Sequence, residues 1–286
     1  MKENTAYLVI GSSSAKTRTG GDYCSLKLKN LAEEGSVNVW DVSPNDRPKI
    51  GELVSFSGLQ EREGKFSANK RDLQPDGLAQ PGHPLYDLLP RPISREQWDA
   101  CISHLQALSQ DATLRNLIGE LAEKFFAPYA ARPAAKSMHH AFPGGLLNHT
   151  YQMLRMLEGI HDSLPYPVRV DYCALAILFH DYGKGYEYEK NGDIREEMPL
   201  LGHIYISAKK LHDELKKKEV AEAEINHIVH IVLSHHGTHE FGSPVLPATK
   251  EAILVHALDN LSAKMDAHEG TPPMERCHAL DTNAVK

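Results

Sequence analysis

Cys173-Ala174-Leu175-Ala176-Ile177-Leu178-Phe179-His180-Asp181 places an unbroken apolar run directly before an imidazole and a carboxylate. Such a run reads as a buried helix, and an interior does not accept those two side chains without partners. Candidate partners lie on both sides: His149 upstream, then His203, the pair His235-His236, and Asp259 downstream. Each sits in or at the end of a segment with helical apolar spacing. Ile225, Ile228, Val232 and His235 fall on one helical face, and Asp259 shares a stripe with Ala252, Val255, His256 and Ala263. Neutral nitrogens and anionic oxygens delivered by separate helices are the donor set that a pair of hard-to-borderline divalent ions takes. Any one of these histidines alone reads as a satisfied core or surface residue. The ordered set does not.

The whole chain bounds the answer further. Its 286 residues suffice for two domains, and 41% hydrophobic with 24% charged residues is a globular balance. Met1-Lys2-Glu3-Asn4-Thr5 carries no signal-peptide pattern, and no apolar stretch is long enough to span a bilayer, so no membrane partner is expected. Cys24, Cys101, Cys173 and Cys277 lie far apart, which points to a reducing cytoplasm and away from zinc-finger or disulfide architecture. A formal net charge of −7 gives no global attraction to nucleic acid. Histidine is the outlier, with 17 in all, of which 14 fall between His139 and His268.

The first 72 residues follow a different period. Tyr7-Leu8-Val9-Ile10, Tyr23 to Lys29, Ser36 to Asp41, Leu53 to Gly58 and Lys65 to Ala68 read as five short strands separated by Gly, Pro and Asn/Asp turns. Five strands with tight turns suit a small closed β-barrel, and the OB-fold is the common solution. Such barrels bind single strands by stacking bases on aromatics beside basic side chains, for which Tyr23, Lys27, Lys29, Trp40, Phe66 and Lys70 are candidates. The bland alternative makes Trp40 and Phe66 barrel core and the lysines a solvated face. With 11 Lys+Arg against 10 Asp+Glu over residues 1–72, charge decides neither way.

Residues 73–93 read as a linker, because Pro75, Pro81, Pro84, Pro90 and Pro92 block regular helix. Ser94-Arg95-Glu96-Gln97 then has the form of a capping box opening a helix toward Leu108. A second helix from Asp111 sets Leu114, Leu117, Ile118, Leu121 and Phe125 on one stripe. Everything from residue 94 to 270 reads helical, and residues 271–286 read as a loose tail. The expected architecture is therefore two-domain, a small β-barrel followed by an all-α domain.

His149, His180-Asp181 and Asp259, in this order on helices, resemble the HD superfamily of metal-dependent phosphohydrolases. Five blocks tighten the match: Gly144-Gly145-Leu146-Leu147-Asn148-His149-Thr150, His180-Asp181-Tyr182-Gly183-Lys184, Gly202-His203, Ser234-His235-His236-Gly237 and Glu240-Phe241-Gly242-Ser243-Pro244. Together they resemble the YhaM-type 3′–5′ exoribonucleases, which join an N-terminal OB-fold to an HD domain, and the resemblance covers nearly the whole chain. One departure is visible. After Asp259-Asn260-Leu261 stands Ser262, where such proteins often carry a second acid.

The resemblance implies hydrolysis of phosphodiesters with two divalent ions, Mn²⁺ first among Mn²⁺, Mg²⁺, Fe²⁺ and Co²⁺. By the family pattern His149, His180, Asp181 and Asp259 hold one ion, and Asp181, His203 and His235 surround the second. Asp181, Lys184 and His236 are then the catalytic candidates, the last two facing the phosphate. Gly145, one turn before His149, leaves no carboxylate for a third ion. His139 and His140 are open between touching substrate and capping their turn. Three functions follow: a 3′–5′ exonuclease on single-stranded RNA, with single-stranded DNA as a further substrate; a phosphohydrolase of nucleotides or cyclic (di)nucleotides; and a metal-stabilised nucleic-acid-binding module without turnover. Lys184 and the His235-His236 pair argue against the last, since a purely structural site has no use for spare polar groups. The strand-rich N-terminus favours the first. Self-association into a homo-oligomer stays open.

Overall fold

The computed structural model describes residues 1–80, 82–88, 92–135, 140, 142, 144–187, 200–269, 276–277 and 280–285. The chain divides into two compact units. In the first, strands β1 (Tyr7–Lys16), β2 (Asp22–Lys29), β3 (Glu34–Trp40), β4 (Glu52–Phe56), β5 (Gln60–Arg62), β6 (Lys65–Asn69) and β7 (Leu73–Leu78) form one curled, OB-like sheet. Its order is β5-β6-β3-β2-β1-β4-β7. All pairings are antiparallel except β3 with β6. Alternation explains the core: Cys24, Leu26 and Leu28 of β2 meet Val37 and Val39 of β3, with Tyr7, Val9, Val54 and Phe56 from the flanking strands.

The sheet holds seven strands where the alternation pattern gives five. β1 runs on to Lys16 through Gly11-Ser12-Ser13-Ser14, a polar stretch whose backbone is nonetheless fully paired with β2. β5 pairs with β6 across the Glu63-Gly64 turn, where both residues have positive φ, 54° and 75°. β7 lies inside the stretch read as a linker. Its Pro75 is tolerated because β7 is the outermost strand, where a missing N–H leaves no partner unsatisfied. Ala79 and Leu85 then fold back over Leu8 and Leu53 as a second small core. In the tail, β8 (Arg276–Cys277) and β9 (Thr282–Asn283) pair, with Cys277 and Ala284 buried.

The second unit is helical: α1 (Arg95–Leu108), α2 (Ala112–Ala130), α3 (Gly145–Ile160), α4 (Val170–Phe179), α5 (Lys184–Glu187), α6 (His203–Lys217), α7 (Glu222–Leu233) and α8 (Lys250–Glu269). The Ser94 capping box forms as read: Ser94 Oγ accepts from Gln97 N, and Gln97 Oε1 accepts from Ser94 N at 3.0 Å. Every residue of α4 is buried. A helix apolar all round can only be a central one, and α4 packs against α1, α2, α3, α6, α7 and α8. Its C-terminal end therefore emerges among its neighbours, and that end carries His180-Asp181. None of the described helices is long and apolar enough to cross a membrane.

Candidate metal centre

His180 caps the C-terminus of α4. Its Nδ1 lies 2.7 Å from the Ile177 carbonyl, an acceptor only, so Nδ1 carries the proton and Nε2 presents a lone pair. His235 repeats the device just past α7, with Nδ1–H donating to Val232 O at 2.6 Å. His236 donates through Nδ1 to Phe241 O at 2.6 Å. In each case a backbone carbonyl fixes the tautomer and aims the ring, the usual second layer of a metal-ligating histidine.

His149 is oriented by side chains. Ser262 Oγ donates to Gln152 Oε1 at 2.9 Å and so accepts from His149 Nδ1 at 2.9 Å. His149 Nε2 is then turned toward Asp259 Oδ1 at 3.0 Å. These two atoms lie close enough to form two corners of a site that would take a cation.

Asp181 stands at the middle. Its Oδ2 lies 3.2 Å from His180 Nε2 and 3.9 Å from His149 Nε2. Its Oδ1 lies 3.7 Å from His203 Nε2 and 3.9 Å from His235 Nε2. The ligand atoms gather accordingly into two groups, His149 with His180 and Asp259, and His203 with His235 and His236, each spanning less than 4.8 Å. One carboxylate faces both. His236, read from the sequence as facing the phosphate, is grouped here with His203 and His235, with the Phe241 carbonyl holding its Nδ1.

Two close backbone approaches make the assembly fit. A Cβ on Gly183 would stand 2.2 Å from the His203 carbonyl, so the His180–Lys184 turn and the start of α6 meet through bare backbone. Gly183 N also donates to Ser207 Oγ of α6 at 2.9 Å. A Cβ on Gly145 would stand 1.9 Å from the His140 carbonyl, which closes the position where a further acid would be needed.

The electrostatics suit cations. His180 Nε2, His235 Nε2 and Asp181 Oδ1 are buried and find no hydrogen-bond partner among the described residues. Leaving a buried polar group unmatched costs about 1–3 kcal/mol, more if it is charged, so three together at one point mark a place built for something else. Burial works to raise the Asp181 carboxyl, but Lys184 and His180 overcome it and hold it well below the ordinary carboxylate range. Asp259 is held low in the same way, with burial opposed by His149 and then His180. Burial drives His235 well down, with His236 adding to the effect, and burial also lowers His236. Both are therefore neutral donors. At His180 burial also pulls down, yet Asp181 outweighs it and the net direction is up: the carboxylates draw in positive charge. Inward-facing imidazole nitrogens beside fixed carboxylates fit divalent ions of the Mn²⁺, Fe²⁺ or Co²⁺ kind.

Lys184 is nine-tenths buried with Nζ 2.6 Å from Asp181 Oδ2. His140, also buried, has a positive φ of 45°, and Asp266 accepts from its backbone N–H. His139 lies outside the described residues. Ser262, Gln152 and Ser207 carry no ligand chemistry of their own, and residue type alone does not mark them as supports. Their only signal is helical spacing, with Gln152 three residues after His149 and Ser262 three after Asp259.

The aromatic and basic residues of the sheet separate into two faces. Tyr23 and Trp40 are directly opposite on β2 and β3, ring centroids 5.1 Å apart, on the face away from the core. Lys27 is exposed on that face, in register with Ser36. Lys29 pairs with Glu34 at 3.0 Å. Lys70 pairs with Asp46 at 2.8 Å. Phe66 sits in register with buried Val37 and packs against the core, so it belongs to the interior face.

The family description HD domain matches residues 146–264, the span that contains all these candidate ligands. A 3′-5′ exoribonuclease YhaM of Geobacillus sp. is 30% identical over 294 aligned residues, covering 97% of this chain and 90% of the relative. Proteins of the same name from Bacillus velezensis and Bacillus subtilis are 28% and 29% identical, each over 91% of this chain and 84% of their own. No solved structure matches. Aligned to these relatives along nearly its whole length, the chain belongs to the YhaM family of HD-domain phosphohydrolases.

Proposed function

We propose that this protein is a two-metal 3′–5′ exoribonuclease that shortens single-stranded RNA to nucleoside monophosphates. The observation that carries the proposal is Asp181, whose two oxygens face two separate histidine groups at 3.2–3.9 Å. In this reading His149, His180 and Asp259 would hold one ion and His203, His235 and His236 a second, with Asp181 placed to serve either. Divalent ions bound there would activate water and neutralise charge on the phosphate. Lys184 keeps Asp181 anionic and adds an ammonium that favours the developing negative charge at the scissile phosphate. The backbone carbonyls of Ile177, Val232 and Phe241 keep three imidazoles in the donor tautomer throughout. Substrate and direction follow the names of the relatives, and the outward Tyr23–Trp40 pair with Lys27 supports a single strand as ligand.

The test is incubation with Mn²⁺ and 5′-labelled single-stranded RNA, beside mononucleotide and cyclic-dinucleotide controls. A ladder of shortening labelled fragments with monophosphate product is expected. Intact RNA alongside turnover of a nucleotide or cyclic dinucleotide would move the function to small-molecule phosphohydrolysis.

A further inference from the structure

Beside the second histidine group stands a side chain that ion binding does not use. Phe241 is 72% exposed, although its own carbonyl is fastened to His236 Nδ1 at 2.6 Å. Elsewhere in the helical unit Phe125 and Phe179 are fully buried, as burial free energy favours.

The loop that holds Phe241 out is braced. Gly237 and Gly242 turn the chain at φ +81° and +91°. Ser243 N donates to Thr238 O at 3.1 Å and Gly242 N to His239 O at 3.0 Å. His239 Nδ1 donates to Ser243 O at 3.0 Å. The neighbouring Glu240 carboxylate bonds its own amide and the Thr238 side chain. A large apolar ring is thus kept in water on a hydrogen-bonded loop, and the same residue's backbone positions a candidate metal ligand.

We propose that Phe241 is the stacking platform for a nucleobase next to the scissile phosphate. This deepens the exoribonuclease reading and rests on it. A phenyl ring suits that role, since single-stranded RNA presents unstacked bases that aromatic side chains take up. Stacking is also tolerant of sequence, because every base has a π-face, and an enzyme that removes nucleotides one after another must accept all of them. A hydrogen-bonding pocket would discriminate between bases. A bare phenyl ring does not. Because its carbonyl holds His236, a base on the ring belongs to a nucleotide at the cluster rather than to a distant part of the strand.

The test compares full-length wild type, Phe241→Ala and Phe241→Trp on two RNAs, one intact and one abasic at its last two 3′ positions. Phe241→Ala keeps the carbonyl, so its Mn²⁺ content should equal that of wild type. Its KM for intact RNA should rise roughly fivefold or more, the range expected of one lost stack, with kcat little changed. On abasic RNA the wild type should show the same rise, and Phe241→Ala should be indifferent to the missing bases. Phe241→Trp should restore the intact-RNA value. A 2-aminopurine at the 3′ end should lose fluorescence on binding wild type and Phe241→Trp, with Ca²⁺ in place of Mn²⁺, and keep it with Phe241→Ala.

An unchanged KM in Phe241→Ala would overturn the platform while leaving the exoribonuclease reading intact. So would a loss of Mn²⁺, which would make the residue a support for His236, or a changed oligomeric state with unchanged RNA kinetics, which would make the ring a contact between copies. RNA left uncut by wild type would overturn the underlying reading and the platform with it.

Discussion

Ser262 Oγ lies 2.9 Å from His149 Nδ1 and passes its own proton to Gln152 Oε1, also at 2.9 Å. Ser262 is therefore the acceptor that orients a candidate metal ligand. Ser262→Ala leaves that Nδ1–H without its acceptor and the ring free to turn. Outer partners of this kind typically contribute about 10–100-fold to metal affinity, so the Kd for Mn²⁺ should rise by roughly that factor. Titration of the metal-stripped protein measures it, and thermal unfolding should show that the fold is kept.

Gly183→Ala should act on the second histidine group without touching a ligand. The new Cβ would meet the His203 carbonyl at 2.2 Å and push the start of α6 away. Overpacking of this type costs about 1–3 kcal/mol, which denaturant unfolding reads. Elemental analysis should show metal lost from the variant while it remains folded. Wild-type stability and loading would remove the requirement for bare backbone here.

Glu251 links the first turn of α8 to the start of α4. Its carboxylate accepts from Arg169 N and from His227 Nε2, both at 3.0 Å. Burial works to raise its pKa, and the Arg169 amide with the other donors overcomes it, so the net direction is down. A depressed carboxylate contributes stability that is present above its unfolded-state value, about 4.3, and is lost as pH falls through the lower folded-state value. Glu251→Gln should cost about 1–3 kcal/mol at pH 7 and flatten the acid limb of the stability profile. Denaturant unfolding between pH 3 and pH 7 checks both.

Trp40→Ala tests the sheet. Trp40 is 36% exposed and stands against Tyr23 on the outer face. If that face carries the strand, binding of a long single-stranded RNA should weaken by about 1–3 kcal/mol, with Mn²⁺ loading of the HD domain unaffected. Fluorescence anisotropy with labelled RNA gives the answer, and an unchanged Kd would assign the pair to structure alone.

These sites differ in how far the sequence announces them. The candidate ligands are legible because an imidazole or carboxylate at the end of an apolar helix is itself a signal, and His180-Asp181 after seven apolar residues is a loud one. The Ser94 capping box is equally plain, since its chemistry is local. β7 is hidden by Pro75, whose meaning depends on whether a strand lies at a sheet edge, which is a tertiary fact. The polar half of β1 is hidden because backbone pairing with β2, not alternation, holds it. The grouping of His236 with His203 and His235 comes with a hydrogen bond to a backbone carbonyl, and carbonyls leave no trace in residue identity. Phe66 fails as a stacking candidate for a simpler reason: its parallel register with Val37 turns it inward.

A role for Asp181 in holding two ions can be measured directly. It predicts two Mn²⁺ per chain by elemental analysis, with an exchange-coupled pair in the electron paramagnetic resonance spectrum. Asp181→Asn should lose the coupled signal and most of the metal while the chain stays folded. A wild-type spectrum of isolated Mn²⁺, or an Asp181→Asn protein that keeps both the coupling and the two ions, would contradict the account.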